Sequence, residues 1–197
     1  MSVKFAVKSI CESQIANRLD KGKKKYIMLN MKPQDVVIII KIISFMEKKW
    51  RMIDVAYQIK LSSSEVNEGI KRLKQSNLIY GENKVNFINL QEFLFHGLKY
   101  CFPVKIEENS RGIATAHSSR FMKGYIDSYS DSNYVWPYEY GESYGLSVKP
   151  LYKTVPQFIE NDEFMYKTLA YIDVLRLGRV REVEYAQKQL EKILKSE

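Results

Sequence analysis

Apolar side chains recur at helical spacing in three segments, 33–46, 52–59 and 63–76. The first segment opens with a proline, whose fixed φ suits the first position of a helix. Ser62 and Glu65 have the Ser-x-x-Glu spacing of a capping box, which marks the start of the third segment. The predicted buried side of the first helix consists of Val36, Val37, Ile40, Ile43 and Phe45 or Met46. The pattern therefore predicts three helices with short connections.

A hairpin and a fourth helix are predicted next. Asn77 can end the third helix in a left-handed conformation. The apolar runs 78–80 and 85–88 flank four residues whose composition is typical of a hairpin loop. Asn89 is then the predicted cap of an apolar helix over about 90–101.

Aromatic side chains dominate the irregular segment 103–154, where the alternation around 141–145 predicts a second hairpin. The aromatic residues are Phe121, Tyr125, Tyr129, Tyr134, Trp136, Tyr138, Tyr140, Tyr144 and Tyr152. Tyrosine and tryptophan combine apolar area with a polar tip, as in a sensor pocket or a partner surface. The alternative interpretation is an apolar cover for the neighbouring helices.

Two further helices are predicted after residue 155. Asn161 can cap the first, which ends near Gly178. The second carries a seam with the spacing of a short coiled coil, formed by Val183, Ala186, Leu190 and Ile193. Such a seam can fold back on its own domain or pair with a second copy of the chain.

Positive charge is concentrated in the first half of the 197-residue chain, whose net charge is +8. Residues 1–32 have a net charge of +6 and 33–89 of +3, whereas 90–197 have −1. This asymmetry is typical of a nucleic-acid binder whose other half has a different task, although a basic tail can also serve solubility alone.

Several protein classes are excluded by composition and hydropathy. With 45% hydrophobic residues the chain can build a core, and its apolar runs are far shorter than the roughly 20 residues of a membrane helix. No secretory signal is evident, so we expect a cytoplasmic protein. Cys11 and Cys101 lack CxxC spacing, which argues against a disulfide scaffold or a cysteine zinc site.

Helix, short helix, tight turn, helix and hairpin over residues 33–89 resemble a winged helix-turn-helix domain of the MarR-like type. Ala56 is small where the two helices must cross, and Leu61 is the buried residue of the turn. Ser62 is the cap, and Val66 and Ile70 form the inward face. Two features depart from the usual pattern, since Lys60 stands where many such motifs have glycine and Glu68 adds acid to the presumed recognition helix.

The resemblance implies that the third helix enters the major groove of DNA, while the hairpin is a wing that reaches the backbone or the minor groove. Asn67 is the best candidate for a bidentate contact to adenine, and the outward Lys71 and Arg72 suit phosphate or guanine. The complete set of expected DNA-contacting residues is Ser62, Ser63, Ser64, Asn67, Lys71, Arg72, Asn83, Lys84 and Asn86.

The expected fold class is mainly α with small β-hairpins. Residues 1–31 form a basic N-terminal arm or short helix, 32–102 the winged helix-turn-helix domain, and 103–197 a dimerisation or sensor region. The expected function is a sequence-specific DNA-binding regulator that represses as a homodimer by occupying its operator. A small-molecule or protein effector could bind the aromatic-rich region.

Two other functions compete with this one. The winged helix could be a protein-interaction module, such as an antitoxin-like partner, without direct DNA binding. Arg111 and His117 have an Arg-x5-His spacing that resembles the HEPN ribonuclease signature, but Gly112 and the following serines disfavour the helix that this signature needs. We expect no enzyme, cofactor or metal, because two histidines cannot form a histidine triad and no phosphate loop or nucleophile elbow is present.

Overall fold

A computed structural model describes residues 31–45, 48–124 and 133–195. These residues belong to one compact unit. The predicted N-terminal arm, except Met31, and Cys11 lie outside the described residues, as do Tyr125 and Tyr129. The described part is mainly α-helical with two small sheets, which confirms the expected fold class at that level.

Helix α1 (Pro33–Ser44) is buried on every side between residues 35 and 43. The predicted Val36, Val37, Ile40 and Ile43 are buried, but the other residues of 35–43 are buried as well, so this part of the helix has no solvent-facing side. The helix lies between two layers. One layer consists of the next two helices, α2 (Met52–Ile59) and α3 (Ser63–Gln75), and the other is the later helix α7 (Glu163–Leu177). Its one buried lysine, Lys41, donates to the Asp162 carboxylate over 2.6 Å, so the charge stays paired in the interior.

Helices α2 (Met52–Ile59) and α3 (Ser63–Gln75) agree with the prediction, and they pack against each other and against α1. Asn77 follows α3 with φ of 55°, the predicted left-handed stop. The predicted hairpin is also present, with β1 (Ile79–Tyr80) antiparallel to β2 (Lys84–Val85). With two residues in each strand, this hairpin is short.

The next helical stretch begins earlier than predicted. Asn86, and not Asn89, is the cap, because its side chain accepts a hydrogen bond from the Asn89 backbone N–H over 3.2 Å. The side-chain amide of Asn89 instead donates to the Asn77 backbone carbonyl over 2.9 Å, and this bond connects the helix to the residues that follow α3. The stretch consists of α4 (Phe87–Glu92), a π-helical turn (Phe93–Gly97) and α5 (Leu98–Cys101).

The aromatic-rich segment contains a three-stranded sheet, in which each strand pairs with the other two, rather than the predicted hairpin around 141–145. Strand β3 (Ile106–Ala114) pairs antiparallel with both β4 (Tyr134–Pro137) and β5 (Ser143–Val148), and β4 and β5 pair in parallel. The strands approach so closely that a Cβ on Gly112 would clash with the Trp136 carbonyl. Short 3-10 turns at Ala116–Ser118 and Arg120–Met122 follow β3.

The aromatic side chains of this segment divide into two groups. Trp136 is fully buried, and Phe121, Tyr134, Tyr138 and Tyr152 are partly buried against the core. Tyr140 and Tyr144 are largely exposed. The expected apolar cover is thus present for part of the set, while the exposed tyrosines leave room for a surface function.

The last α-helices of the described part of the chain are α6 (Val155–Phe158), α7 and α8 (Val180–Lys195), with a short 3-10 helix (Ile159–Asn161) between α6 and α7. The cap of α7 is Asp162 rather than the predicted Asn161, because the Asp162 carboxylate accepts from the Met165 N–H over 3.1 Å. Helix α8 packs on α7, with Ala186 and Leu190 fully buried. The seam therefore folds back on its own chain, the first of the two predicted alternatives.

Asp173 on α7 connects the sheet to the helices. Its buried carboxylate accepts from the Trp136 Nε1 over 2.6 Å and from the Thr115 hydroxyl over 3.0 Å. It also pairs with Arg176 over 2.6 Å, and Arg176 Nε donates to the Phe102 carbonyl. The Arg176 bond to Phe102 and the Lys41–Asp162 pair connect the two regions between which a boundary at residue 102 is predicted.

Across residues 31–45, 48–124 and 133–195, none of the helices combines the length and the apolar character that crossing a bilayer requires.

Candidate nucleic-acid interface

The crossing of α2 and α3 is fixed by the turn between them. Lys60 has φ of 55° and ψ of 47°, a left-handed conformation that normally favours glycine. The turn brings the Leu61 N–H to the Ala56 carbonyl at 3.0 Å and buries both side chains. The lysine at the position where glycine is usual therefore adopts the glycine conformation, and its side chain is exposed.

The start of α3 is held by the predicted capping box. The Ser62 hydroxyl accepts from the Glu65 N–H over 3.2 Å, and the Glu65 carboxylate accepts from the Ser62 N–H over 3.2 Å and from its hydroxyl over 2.9 Å. These bonds hold the pKa of Glu65 below its usual value. Because its hydroxyl is engaged in the cap, Ser62 positions the helix rather than offering a free group to a ligand.

Four of the predicted DNA-contacting residues form one stripe on the outward side of α3. Ser63 and Ser64 are exposed in the first turn, Asn67 is half-buried one turn later, and Lys71 is exposed in the following turn. Serine hydroxyls and an asparagine amide donate and accept hydrogen bonds, as base edges in a major groove require. This stripe is the surface on which a DNA interface would be built.

Glu68 pairs with Lys71 over 2.7 Å, and this hydrogen bond lowers the pKa of the Glu68 carboxyl. Both side chains are about half exposed. Exposed pairs at this spacing contribute about 0–1 kcal/mol, so a phosphate can replace the glutamate at little cost. Glu68, the acidic residue that is unusual in a recognition helix, is thus neutralised by Lys71.

The prediction that Arg72 points outward was wrong. Its side chain is 5% exposed and pairs with the fully buried Asp35 of α1. Arg72 Nη2 and Nε donate to the two Asp35 oxygens over 2.6 and 2.8 Å. Gly69 allows α3 to approach α1 closely, since a Cβ on residue 69 would clash with the Ile38 side chain. Arg72 lies one turn after Gly69 and therefore also faces α1. Arg72 is therefore withdrawn from the DNA-contacting set.

The hairpin contributes less than expected. Lys84, the first residue of β2, is exposed, as a wing requires. Asn83 has φ of 69° and forms the turn itself, and its Oδ1 is buried without a partner in the described part of the chain. Asn86 caps α4 and is also withdrawn from the DNA-contacting set. A single exposed lysine beside the turn of a short hairpin is suited to one phosphate contact.

Two basic residues of this surface were missed in the sequence. Lys74 is exposed on α3, three positions after Lys71 and seven after Asn67, so helical spacing alone could have identified it. Lys153 is exposed close to Glu65, where its charge contributes to the lowered pKa of that carboxyl. Lys153 is distant in sequence from α3, and no local pattern indicates its position.

Helix α2 also presents an apolar surface to solvent. Ile53 is 58% and Tyr57 84% exposed, and at i and i+4 they lie on the same face of the helix. Large exposed apolar side chains that adjoin one another are typical of contact surfaces. The outward side of the α2–α3 unit therefore combines a polar stripe on α3 with an apolar pair on α2.

The residues of the ribonuclease-like spacing do not share a helix. Arg111 is exposed on β3, and His117 lies in a 3-10 turn with its ring 4.8 Å from that of Tyr134. Within the described ranges no group of three His, Cys, Asp or Glu residues could hold a metal ion, and the side chain of Cys101 is exposed.

The geometry thus contains a two-helix unit with an exposed polar stripe, basic residues beside it and a short hairpin. Comparison of this chain with protein-family models, with curated proteins and with solved structures finds no match.

Proposed function

We propose that the α2–α3 unit and the hairpin act as a winged helix-turn-helix that binds duplex DNA, with α3 in the major groove. The observation that carries the proposal is the outward polar stripe of α3, in which Ser63, Ser64 and Lys71 are exposed and Asn67 is half-buried, while the opposite side of the helix packs on the core. The anchoring side of α3 is apolar apart from Arg72, whose charge is neutralised by Asp35. A rigid helix with a free polar face is what readout of base edges requires.

The charge distribution supports this assignment. Lys60, Lys71, Lys74 and Lys84 are exposed on the α2–α3 unit and the hairpin, where they can contact phosphates on either side of the groove. Residues 1–32 add a net charge of +6 to the chain. The protein would repress transcription in the cytoplasm by occupying its operator as a homodimer, and the dimer would use a surface other than the α8 seam, which is buried in its own chain.

Asn67→Ala tests whether α3 reads bases. Genomic fragments selected for binding in vitro supply the specific sequence, and a competition assay compares it with random duplex. Loss of a bidentate amide is expected to cost about 1–3 kcal/mol on the selected sequence and little on the random one. The ratio of specific to non-specific affinity should therefore fall.

The matched control for this variant is Asn89→Ala, because the Asn89 amide bonds within the chain to the Asn77 carbonyl. We expect this control to keep the wild-type affinity ratio. If Asn67→Ala lowers the affinity for the selected and the random duplex equally, Asn67 contacts the DNA backbone, and Ser63 or Ser64 is the residue that reads the bases. If neither affinity changes, α3 does not lie in the groove.

A second candidate function is a protein-interaction module. It is favoured by the exposed Ile53 and Tyr57 of α2 and by the loss of Arg72 from the basic surface. Replacing Tyr57 with serine distinguishes the two functions, because a protein partner that packs on this face would be lost while duplex binding through α3 would persist.

A further inference from the structure

A cavity of about 440 Å³ lies beside the turn that joins α2 and α3. Lys60 of the turn lines one side, and the tip after β4 contributes Tyr138, Glu139 and Tyr140. Lys153 and Gln157 line it from the segment that leads into α6. Residues from both halves of the described chain thus meet in one depression, next to the first turn of α3.

The segment around Lys153 is held against the α2–α3 unit by its neighbours on both sides. The buried Thr154 hydroxyl donates to the Ile59 carbonyl over 2.8 Å, at the last residue of α2. The Tyr152 hydroxyl lies 3.4 Å from the Glu65 carboxylate, at the third residue of α3. Lys153 is therefore fixed in position at its backbone, while its own side chain remains exposed.

The donors that line the cavity suit a singly charged anion. Two lysine ammonium groups, two tyrosine hydroxyls and one glutamine amide can donate hydrogen bonds, and Glu139 is the one carboxylate of the lining. Tyr138 and Tyr140 hold each other in an edge-to-face contact with ring centroids 5.6 Å apart. The lining has a net charge of +1, equal and opposite to that of a phosphodiester.

The position of the cavity favours a DNA backbone over a free anion. Ser63 and Ser64, the exposed first-turn residues of α3, follow Lys60 by only a few positions. When the start of a recognition helix faces base edges, the phosphates that border the groove lie beside it. An open depression next to that helix start can receive such a phosphate, with the attached sugars remaining outside.

We propose that this cavity binds one phosphodiester of the DNA backbone through Lys60 and Lys153, so that the C-terminal half forms part of the DNA interface. The inference rests on the proposed function of α3. It assigns a direct ligand contact to Lys153, which lies in the aromatic-rich segment 103–154 and has no role predicted from the sequence.

The test measures affinity for a short random-sequence duplex at several NaCl concentrations, using the full chain. The double variant Lys60→Gln/Lys153→Gln should lower affinity about 3- to 10-fold at low salt and reduce the slope of log K against log salt by about 0.9, the value of one lost phosphate contact. Glu139→Gln should have the opposite effect and raise affinity about 2-fold or more at low salt, because it removes the one negative charge of the lining.

Lys188→Gln, at an exposed position of α8, is the matched control and should keep the wild-type slope. All these side chains are exposed, so thermal melts should coincide. The inference is overturned if the double variant has the same affinity and salt slope as Lys188→Gln, or if Glu139→Gln does not raise duplex affinity. In either case, duplex binding by the wild-type chain would still support the proposed function of α3. A wild-type chain that binds no duplex at low salt overturns both proposals together.

Discussion

Arg72→Ala is expected to lower the free energy of unfolding by about 3–5 kcal/mol, since it leaves a fully buried carboxylate without its cation. Asp35 is 0% exposed, and both of its oxygens accept from the Arg72 guanidinium. The remaining partner, the Lys32 N–H at 2.7 Å from Asp35 Oδ2, cannot neutralise the charge. Urea denaturation followed by circular dichroism measures the loss.

Replacing both Asp35 and Arg72 shows how much of the lost stability comes from leaving one buried charge unpaired. In the double variant Asp35→Leu/Arg72→Met the interior contains no unpaired charge, and we expect most of the lost stability to return. A loss below about 1 kcal/mol in Arg72→Ala would contradict the buried geometry and make an exposed, DNA-facing arginine the better description.

Asp173→Ala is expected to have an effect of similar size, about 3–5 kcal/mol. The carboxylate accepts from Trp136, Thr115 and Arg176, and all three donors lose their acceptor at once. Arg176 is 5% exposed, so its charge cannot be solvated without local opening. Because Trp136 belongs to β4, the loss should weaken the attachment of the sheet to α7 as well as lower overall stability.

Two comparisons make the Asp173 prediction specific. Asp173→Asn keeps the shape and one acceptor oxygen but removes the charge, so its cost should be intermediate. Glu68→Gln removes an exposed ion pair at the same i, i+3 spacing and should cost under about 1 kcal/mol. Equal, small losses in Asp173→Ala and Glu68→Gln would show that the Asp173 network does not stabilise the fold.

The helices between residues 33 and 76 were predictable because their signals are local. The capping box of Ser62 and Glu65 lies within four residues, and the inward face of α3 repeats at helical spacing. The Arg72–Asp35 pair joins residues 37 positions apart, and no local pattern distinguishes a buried arginine from an outward one. The stripe of the candidate interface was therefore predicted in part, with Arg72 wrongly included and Lys74 missed.

The sheet was harder to predict than the helices. The first residues of β3 are exposed on both faces, so its sequence lacks the alternation by which strands are recognised. Strands β4 and β5 both pair with β3, and a long connection separates β3 from each of them in the sequence. Local patterns do not indicate such distant pairings. Two caps were misplaced for a simpler reason, since Asn86 and Asp162 compete with the equally suitable Asn89 and Asn161 nearby.

The salt dependence of duplex affinity in Lys71→Gln and Lys74→Gln tests the placement of α3 on DNA most directly. If each lysine contacts a phosphate, the slope of log K against log salt should fall by about 0.9 in each variant, and by about twice that in the double variant. Lys188→Gln should keep the wild-type slope. Wild-type slopes in both α3 variants would contradict the placement of α3 on DNA and favour the protein-interaction function.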